Sequence, residues 1–179
     1  MRYPYHIWPS ALDNEVIDKI ITYAETIKAQ KAELFSSSDS LSSWRSSQVR
    51  WLQAPWISDL ILPYAQKANE SFKIDFDDEI EMQFTDYFAS EQGHYDWHHD
   101  VNFHGESYRD RKLSVTIQLS DSDSYEGGDF EFEDIITNTH FRAKGTILIF
   151  PSYLRHRVTT VTTGRRSSLV AWYSGPHWK

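Results

Sequence analysis

The chain has 179 residues, 40% of them hydrophobic and 15% aromatic, and carries a formal net charge of −8. That length suits one domain with a sizeable core; the composition is too apolar for disorder, and the charge argues against a module built mainly to grip phosphate backbones. The absence of cysteine excludes disulfides, thiolate metal sites and a cysteine nucleophile.

The first residues, Met1 to His6, contain no apolar stretch of the kind a signal peptide uses. No run approaches the ~18 apolar residues of a membrane span. The expectation is a soluble cytoplasmic protein without membrane or nucleic-acid partners. Ser10 stands three residues before Asp13, like a capping box. Leu12, Val16, Ile17, Ile20, Ile21 and Ala24 then recur at helical spacing, which predicts an amphipathic helix over about 11–32. Ser36 to Ser40 reads as a polar loop, and Ser47 to Leu52 as a short strand. A second helix is predicted over about 56–72, with a kink or restart at Pro63.

From about residue 79 the hydrophobic period changes to two. Strands are predicted at Ile80–Ala89, Tyr95–Val101, Lys112–Leu119, Asp129–Asp134, Thr139–Ala143, Thr146–Phe150, Arg155–Thr162 and Arg165–Tyr173. Gly127-Gly128 and Thr163-Gly164 are the clearest turn signals. Eight short strands suggest a jelly roll or small barrel. The fold class expected is therefore mainly β (α+β), a jelly roll of about eight strands with N-terminal helices packed on one sheet. No linker divides the chain: residues 1–78 form a helical, mixed support, and 79–174 the β core of a single domain.

Two His-x-Asp pairs occur, His94-Asp96 and His98-Asp100. On a strand, residues i and i+2 share a face, so either pair could reach one metal ion. Taken alone, each also reads as a surface histidine beside a surface aspartate. A facial triad of two histidines and one carboxylate leaves open positions on iron and needs a third, remote ligand. His156, which follows the apolar stretch Gly145–Pro151, is the candidate. Ten residues on stands Arg166, in a strand whose faces alternate as Arg166, Ser168, Val170, Trp172 against Ser167, Leu169, Ala171. Both faces are largely apolar, so the strand should be covered on both sides. A buried guanidinium without a partner costs on the order of 3–5 kcal/mol. It needs an anion, either a structural one such as Asp129 or Glu131, or a ligand carboxylate matched to its planar fork.

Tyr87, Gly93 to Asp100, Arg111 to Ser120, Tyr125 to Phe132 and Phe150 to Trp172 stand in an order and spacing similar to those of the iron(II)- and 2-oxoglutarate-dependent oxygenases, in particular the branch related to prolyl 4-hydroxylases. The resemblance covers about residues 80–174 and implies a double-stranded β-helix. The family's tyrosine three residues before the first ligand matches Tyr95, which selects His98 and Asp100 over the earlier pair. The resemblance then makes His98, Asp100 and His156 the iron ligands, and Arg166 with Ser168 the holders of the distal carboxylate of 2-oxoglutarate. Tyr87 resembles the family's pocket tyrosine, with one extra residue before Tyr95. Gln118 stands where many relatives carry a co-substrate tyrosine, and Thr116 lies two residues away on the same face. Trp97 and Trp172 flank the site and, with Tyr95, are candidate substrate contacts. Asn102 to Asp110 is a candidate substrate-covering loop.

The activity this implies is a dioxygenase that uses Fe(II), 2-oxoglutarate and O2, with ascorbate as an accessory. It would hydroxylate an amino-acid side chain, foremost a prolyl residue of a peptide or protein, and release succinate and CO2. Rival readings are a non-catalytic cupin-like binding domain, and an oxygenase acting on a free small molecule or nucleic acid. The oligomeric state is not legible in the sequence.

Overall fold

The computed structural model describes residues 4–32, 44–101, 109–135 and 140–178. Among these residues it holds two helices and twelve strands, paired antiparallel throughout, in two sheets that enclose a cavity. The major sheet runs β1(His6–Trp8), β10(Ile147–Pro151), β7(Asp110–Gln118), β12(Val161–Gly175), β5(Ile80–Phe88), β4(Gln48–Leu52) and β2(Gln30–Lys31). β8(Tyr125–Gly127) lies along the first part of β12. The minor sheet is β3(Arg45–Ser46), β6(His94–His98), β11(His156–Val158) and β9(Phe130–Phe132). This is the jelly-roll architecture that the alternating strands predict.

Both helices cover the outer face of the major sheet. α1(Asn14–Glu25) starts where the Asp13 carboxylate accepts the Val16 N–H at 2.9 Å, which satisfies one of the free amides of the first turn. Its buried stripe, Ile17, Ile20 and Ala24, follows the predicted periodicity. It is shorter than 11–32 at both ends. Ser10 takes a positive φ of 46° and donates its N–H to Thr146, while Gln30 and Lys31 pair with β4. α2(Pro55–Phe72) begins on Pro55, which suits a first helical position. It runs unbroken through Pro63, without the predicted restart, and ends at Lys73 in the left-handed conformation. The two helices bury Ile17, Ile20, Ile57 and Ile61 against Phe84, Val115, Ile117, Ile149 and Leu169 of the sheet. Among the described residues no helix is long and apolar enough to cross a membrane.

Among the predicted boundaries that differ from the structure are the strand Arg155–Thr162, of which β11 keeps His156–Val158 while Val161 already belongs to β12, and three others. The segment His140–Arg142 is a 3-10 turn rather than part of a strand, and Thr139 lies outside the described residues. Arg142 explains the difference: its guanidinium donates to the carbonyls of Gly127, Ser122 and Tyr125 and to Asp129, so this segment ties loops together. The second difference is Gly164, which is no turn between strands but an interior position of β12 opposite Tyr125. Its φ is +73°, and a Cβ there would stand 2.1 Å from the Ser124 carbonyl oxygen. Glycine permits both the conformation and the close approach of β8. Third, β6 stops at His98, so Asp100 sits just past the strand end. Of the predicted Asn102–Asp110 loop, residues 102–108 lie outside the described residues, and Asp110 already belongs to β7.

Candidate metal centre and co-substrate pocket

β6 and β11 are neighbours in the minor sheet, in a register that sets His156 opposite His98. Asp100 is held near them because its N–H donates to the Ser152 carbonyl at 2.9 Å. The His98 and His156 rings come within 4.2 Å of each other, centroid to centroid. His98 Nε2 is 3.7 Å from Asp100 Oδ1, and His156 Nε2 is 3.7 Å from Oδ2. One ligand atom from each of the three residues lies within 4.8 Å of the others, and all three side chains are about 95% buried.

Both imidazoles have a fixed tautomer. His98 Nδ1 lies 2.7 Å from the Asp96 carbonyl, and His156 Nδ1 lies 2.9 Å from that of Leu154. A carbonyl only accepts, so each Nδ1 carries the proton and each Nε2 presents its lone pair to the space between the residues. Asp100 is fixed in turn by Ser114, whose hydroxyl donates to Oδ2 at 2.6 Å and lies 2.9 Å from the Ser152 hydroxyl. Burial, and then the neighbouring His156, push the His98 pKa down to about 3. Burial opposes the charge on Asp100, but His156, His98 and Arg111 outweigh it and hold the carboxyl at about 2. All three groups of such a centre must be unprotonated to ligate, and the surroundings of His98 and Asp100 provide that at neutral pH. This donor set and spacing fit a divalent iron site with open positions. In the rival pair, His94 faces the Gln92 carbonyl and the Asp96 carboxylate accepts its neighbour's N–H; the cluster of three ligand residues found among the described residues includes neither.

The triad opens into a cavity of about 450 Å³ between the sheets. Arg166, Ser168, Val170 and Trp172 of β12 line its floor, as their alternation predicts. Arg166 is 4% exposed, and its Nη1 lies 3.5 Å from Ser168 Oγ. Neither structural anion considered for it is available: Asp129 pairs with Arg142 and Glu131 with Arg157. No carboxylate among the described residues lies within ion-pair distance of Arg166. A buried cation left this way fits an anionic ligand in the cavity. Tyr87, its register partner on β5, places a ring 5.6 Å from the guanidinium.

The remaining candidates divide. Tyr95 lines the cavity and stacks on His98 at 3.4 Å, with burial raising its pKa to about 12. Trp172 lines it as well, whereas Trp97 lies outside it under the Arg157 guanidinium. Thr116 faces the main cavity; Gln118 does not, and donates instead to the Tyr125 hydroxyl at 3.0 Å. Sequence reasoning passed over Arg45, Gln83, Arg111 and Trp51, all of which line the cavity. Alternation along Ile80–Phe88 and Gln48–Leu52 would have placed Gln83 and Trp51 on one face, but nothing local marks that face as a binding surface.

The model of the 2OG-Fe(II) oxygenase superfamily matches residues 82–174. A PKHD-type hydroxylase of Synechococcus sp. (strain CC9311) is 41% identical over 85 residues, which is 47% of this chain and 38% of that protein. A PKHD-type hydroxylase of Hyphomonas neptunium is also 41% identical, over 61 residues and 27% of its length. The chain thus spans well under two thirds of the curated relatives it matches. Among solved structures, a Pseudomonas putida prolyl-4-hydroxylase superposes with a TM-score of 0.74 at 15% identity, covering 98% of this chain and 94% of that one. A Trichoplax adhaerens prolyl hydroxylase, in complex with a hypoxia inducible factor oxygen degradation domain peptide fragment, superposes with a TM-score of 0.71 and 95% coverage of this chain, 83% of its own. At such identity these two likenesses concern the fold, the double-stranded β-helix.

Proposed function

The chain belongs to the 2OG-Fe(II) oxygenase superfamily, and on that premise we propose that it is an iron(II)- and 2-oxoglutarate-dependent dioxygenase that hydroxylates an amino-acid side chain, with a prolyl residue of a peptide or protein as target. One observation carries the reading: the His98, Asp100 and His156 donor cluster opens into the same cavity as a buried Arg166 with no carboxylate partner among the described residues. The prolyl preference draws on the names of relatives, a set of PKHD-type hydroxylases and prolyl hydroxylase structures.

Nε2 of His98 and His156 and the Asp100 carboxylate would hold Fe(II). Arg166 and Ser168 would hold the distal carboxylate of 2-oxoglutarate. Bound together with O2, these groups supply an oxidant able to hydroxylate an unactivated C–H bond, with release of succinate and CO2. The chain's own contribution is geometry and dryness. Asp96 and Leu154 carbonyls hold the imidazoles in place, and Ser114 holds the carboxylate. Tyr95 closes one side of the His98 ring with a phenol that stays neutral. Phe130 and Phe150 pack on the His156 ring, keeping water from that side.

The test is succinate release from proline-containing peptides, with and without iron(II) and ascorbate. Turnover should require iron, and should be lost in His98→Ala, Asp100→Ala and His156→Ala. Arg166→Ala should chiefly raise the KM for 2-oxoglutarate. Full turnover in all three ligand variants would sink the reading.

A further inference from the structure

The cavity is charged opposite to the chain as a whole. Among its described lining residues stand four cations, Lys31, Arg45, Arg111 and Arg166, and a single carboxylate, Asp100. Asp100 belongs to the metal centre and Arg166 to the co-substrate end. Arg111 is already paired with Glu81 at 2.6 Å. Arg45 is different. It is half-buried on β3, and among the described residues its side chain bonds neutral oxygens only: Nε to Ser47 Oγ at 2.8 Å and Nη2 to Gln83 Oε1 at 2.9 Å. Its guanidinium also rests over the Tyr95 ring at 4.4 Å, so it stands one ring away from the His98 ligand.

Gln83 adds a second donor at the same place. Its carbonyl oxygen accepts from both Arg45 and Thr85, so its amide NH2 is the end left over. The residue is 4% exposed and lines the cavity, and no described group accepts from that NH2. The third donor is the Trp172 indole N–H, buried and without a hydrogen-bond partner among the described residues, on a residue that lines the cavity. Gln83 sits four residues along β5 from Tyr87, the register partner of Arg166. Roughly 13 Å of strand separates the two, so these donors serve a different part of the cavity from the co-substrate carboxylate.

Free donors beside a cation with no carboxylate partner among the described residues select an acceptor-rich, anionic group. We infer that Arg45, with Gln83 and Trp172, forms a carboxylate-reading subsite for the substrate, so that the hydroxylated residue carries or adjoins a carboxylate. This deepens, and rests on, the reading of the chain as an amino-acid side-chain hydroxylase. Two sources present the same chemistry: the free C-terminal carboxylate of the target residue, and an acidic side chain next to it.

The test uses the full chain and prolyl peptides in matched pairs, with a free C-terminal carboxylate against the C-terminal amide, and Glu against Gln beside the proline. Binding is read by quenching of tryptophan fluorescence, and turnover by succinate release. The carboxylate member of one pair should bind about tenfold more tightly, an advantage expected of a partly buried ion pair. The pair that shows it identifies the source. Arg45→Gln should remove that preference while 2-oxoglutarate affinity stays unchanged. Arg45→Glu should reverse it, favouring Lys beside the proline, which a merely structural loss would not do. Equal binding within both pairs, or a preference that survives in Arg45→Gln, overturns the subsite even if succinate is released. A carboxylate preference in binding without prolyl turnover leaves the subsite standing and refutes the prolyl reading instead.

Discussion

The two faces of the major sheet are made by the same strands and do opposite work. On β12, Leu169, Ala171 and Tyr173 face the helices and are fully buried among apolar neighbours. Arg166, Ser168 and Trp172, one residue out of phase, face the cavity, as do Gln83 on β5 and Thr116 on β7. The helix-backed face is a packed core whose stability comes from area removed from water. The cavity face buries a guanidinium, an indole N–H and a primary amide with incomplete internal partners, which costs stability and is suited to ligands. A one-residue shift would exchange the faces, and the long register Arg165 to Tyr173 against Phe88 to Ile80 prevents it.

If the division is real, substitutions on the two faces should fail differently. The largest effect expected is on the helix-backed side. Phe84→Ala removes a fully buried ring from that core and should cost about 3–5 kcal/mol in chemical denaturation. An unchanged denaturation midpoint would break the comparison.

Next comes pH, which reports the cavity side. The folded-state pKa of His98 lies at about 3, below its ordinary 6.5. The unfolded chain therefore binds the proton first as acid is added. Stability contributed by the neutral imidazole is present above 6.5 and drains away as pH falls toward 3. At about 1.4 kcal/mol per tenfold change in proton affinity, the metal-free protein should lose about 2–3 kcal/mol between pH 7 and 4.5 from this group. Asp100, also depressed, adds a loss only at lower pH. The difference in acid sensitivity between the parent chain and His98→Gln isolates the effect. Identical pH profiles for the two would count against it.

A smaller effect is expected one step behind the ligands. Ser114→Ala deletes the hydroxyl that donates to Asp100. Supporting groups of this kind are worth about 10–100-fold in metal affinity or activity. Iron(II) titration should register the loss with little change in the denaturation midpoint, because the Ser114 hydroxyl, midway along β7, bonds Asp100 and Ser152 rather than packing in the apolar core.

The sequence made this division partly legible. Alternation over nine residues assigns both faces of β12, and order and spacing bring His98, Asp100, His156 and Arg166 into one reading. Strands of two or three residues, such as β1, β2, β3 and β8, carry no period to detect. Arg45 is on one of them, and its role depends on Gln83, 38 positions away. Gly164 signals a special conformation correctly but not which one, since a turn and a close strand approach both call for glycine. The helix ends were set by a cap and by tertiary pairing, Asp13 for the start of α1 and β4 for the segment after it.

The smallest effect probes whether the faces are separable. Asp13→Ala removes the cap of α1, whose side-chain oxygen accepts the Val16 N–H at 2.9 Å. Loss of such a cap costs about 1 kcal/mol. Among the described residues α1 packs on the outer core by Ile17, Ile20 and Ala24, with Val16, Ile21 and Tyr23 beside them. None of its residues lines the cavity. The variant should therefore melt earlier yet keep the parent KM for 2-oxoglutarate and the parent iron affinity. If either constant shifts along with the melting temperature, the cavity face depends on the helices, and the sheet couples its two sides instead of insulating them.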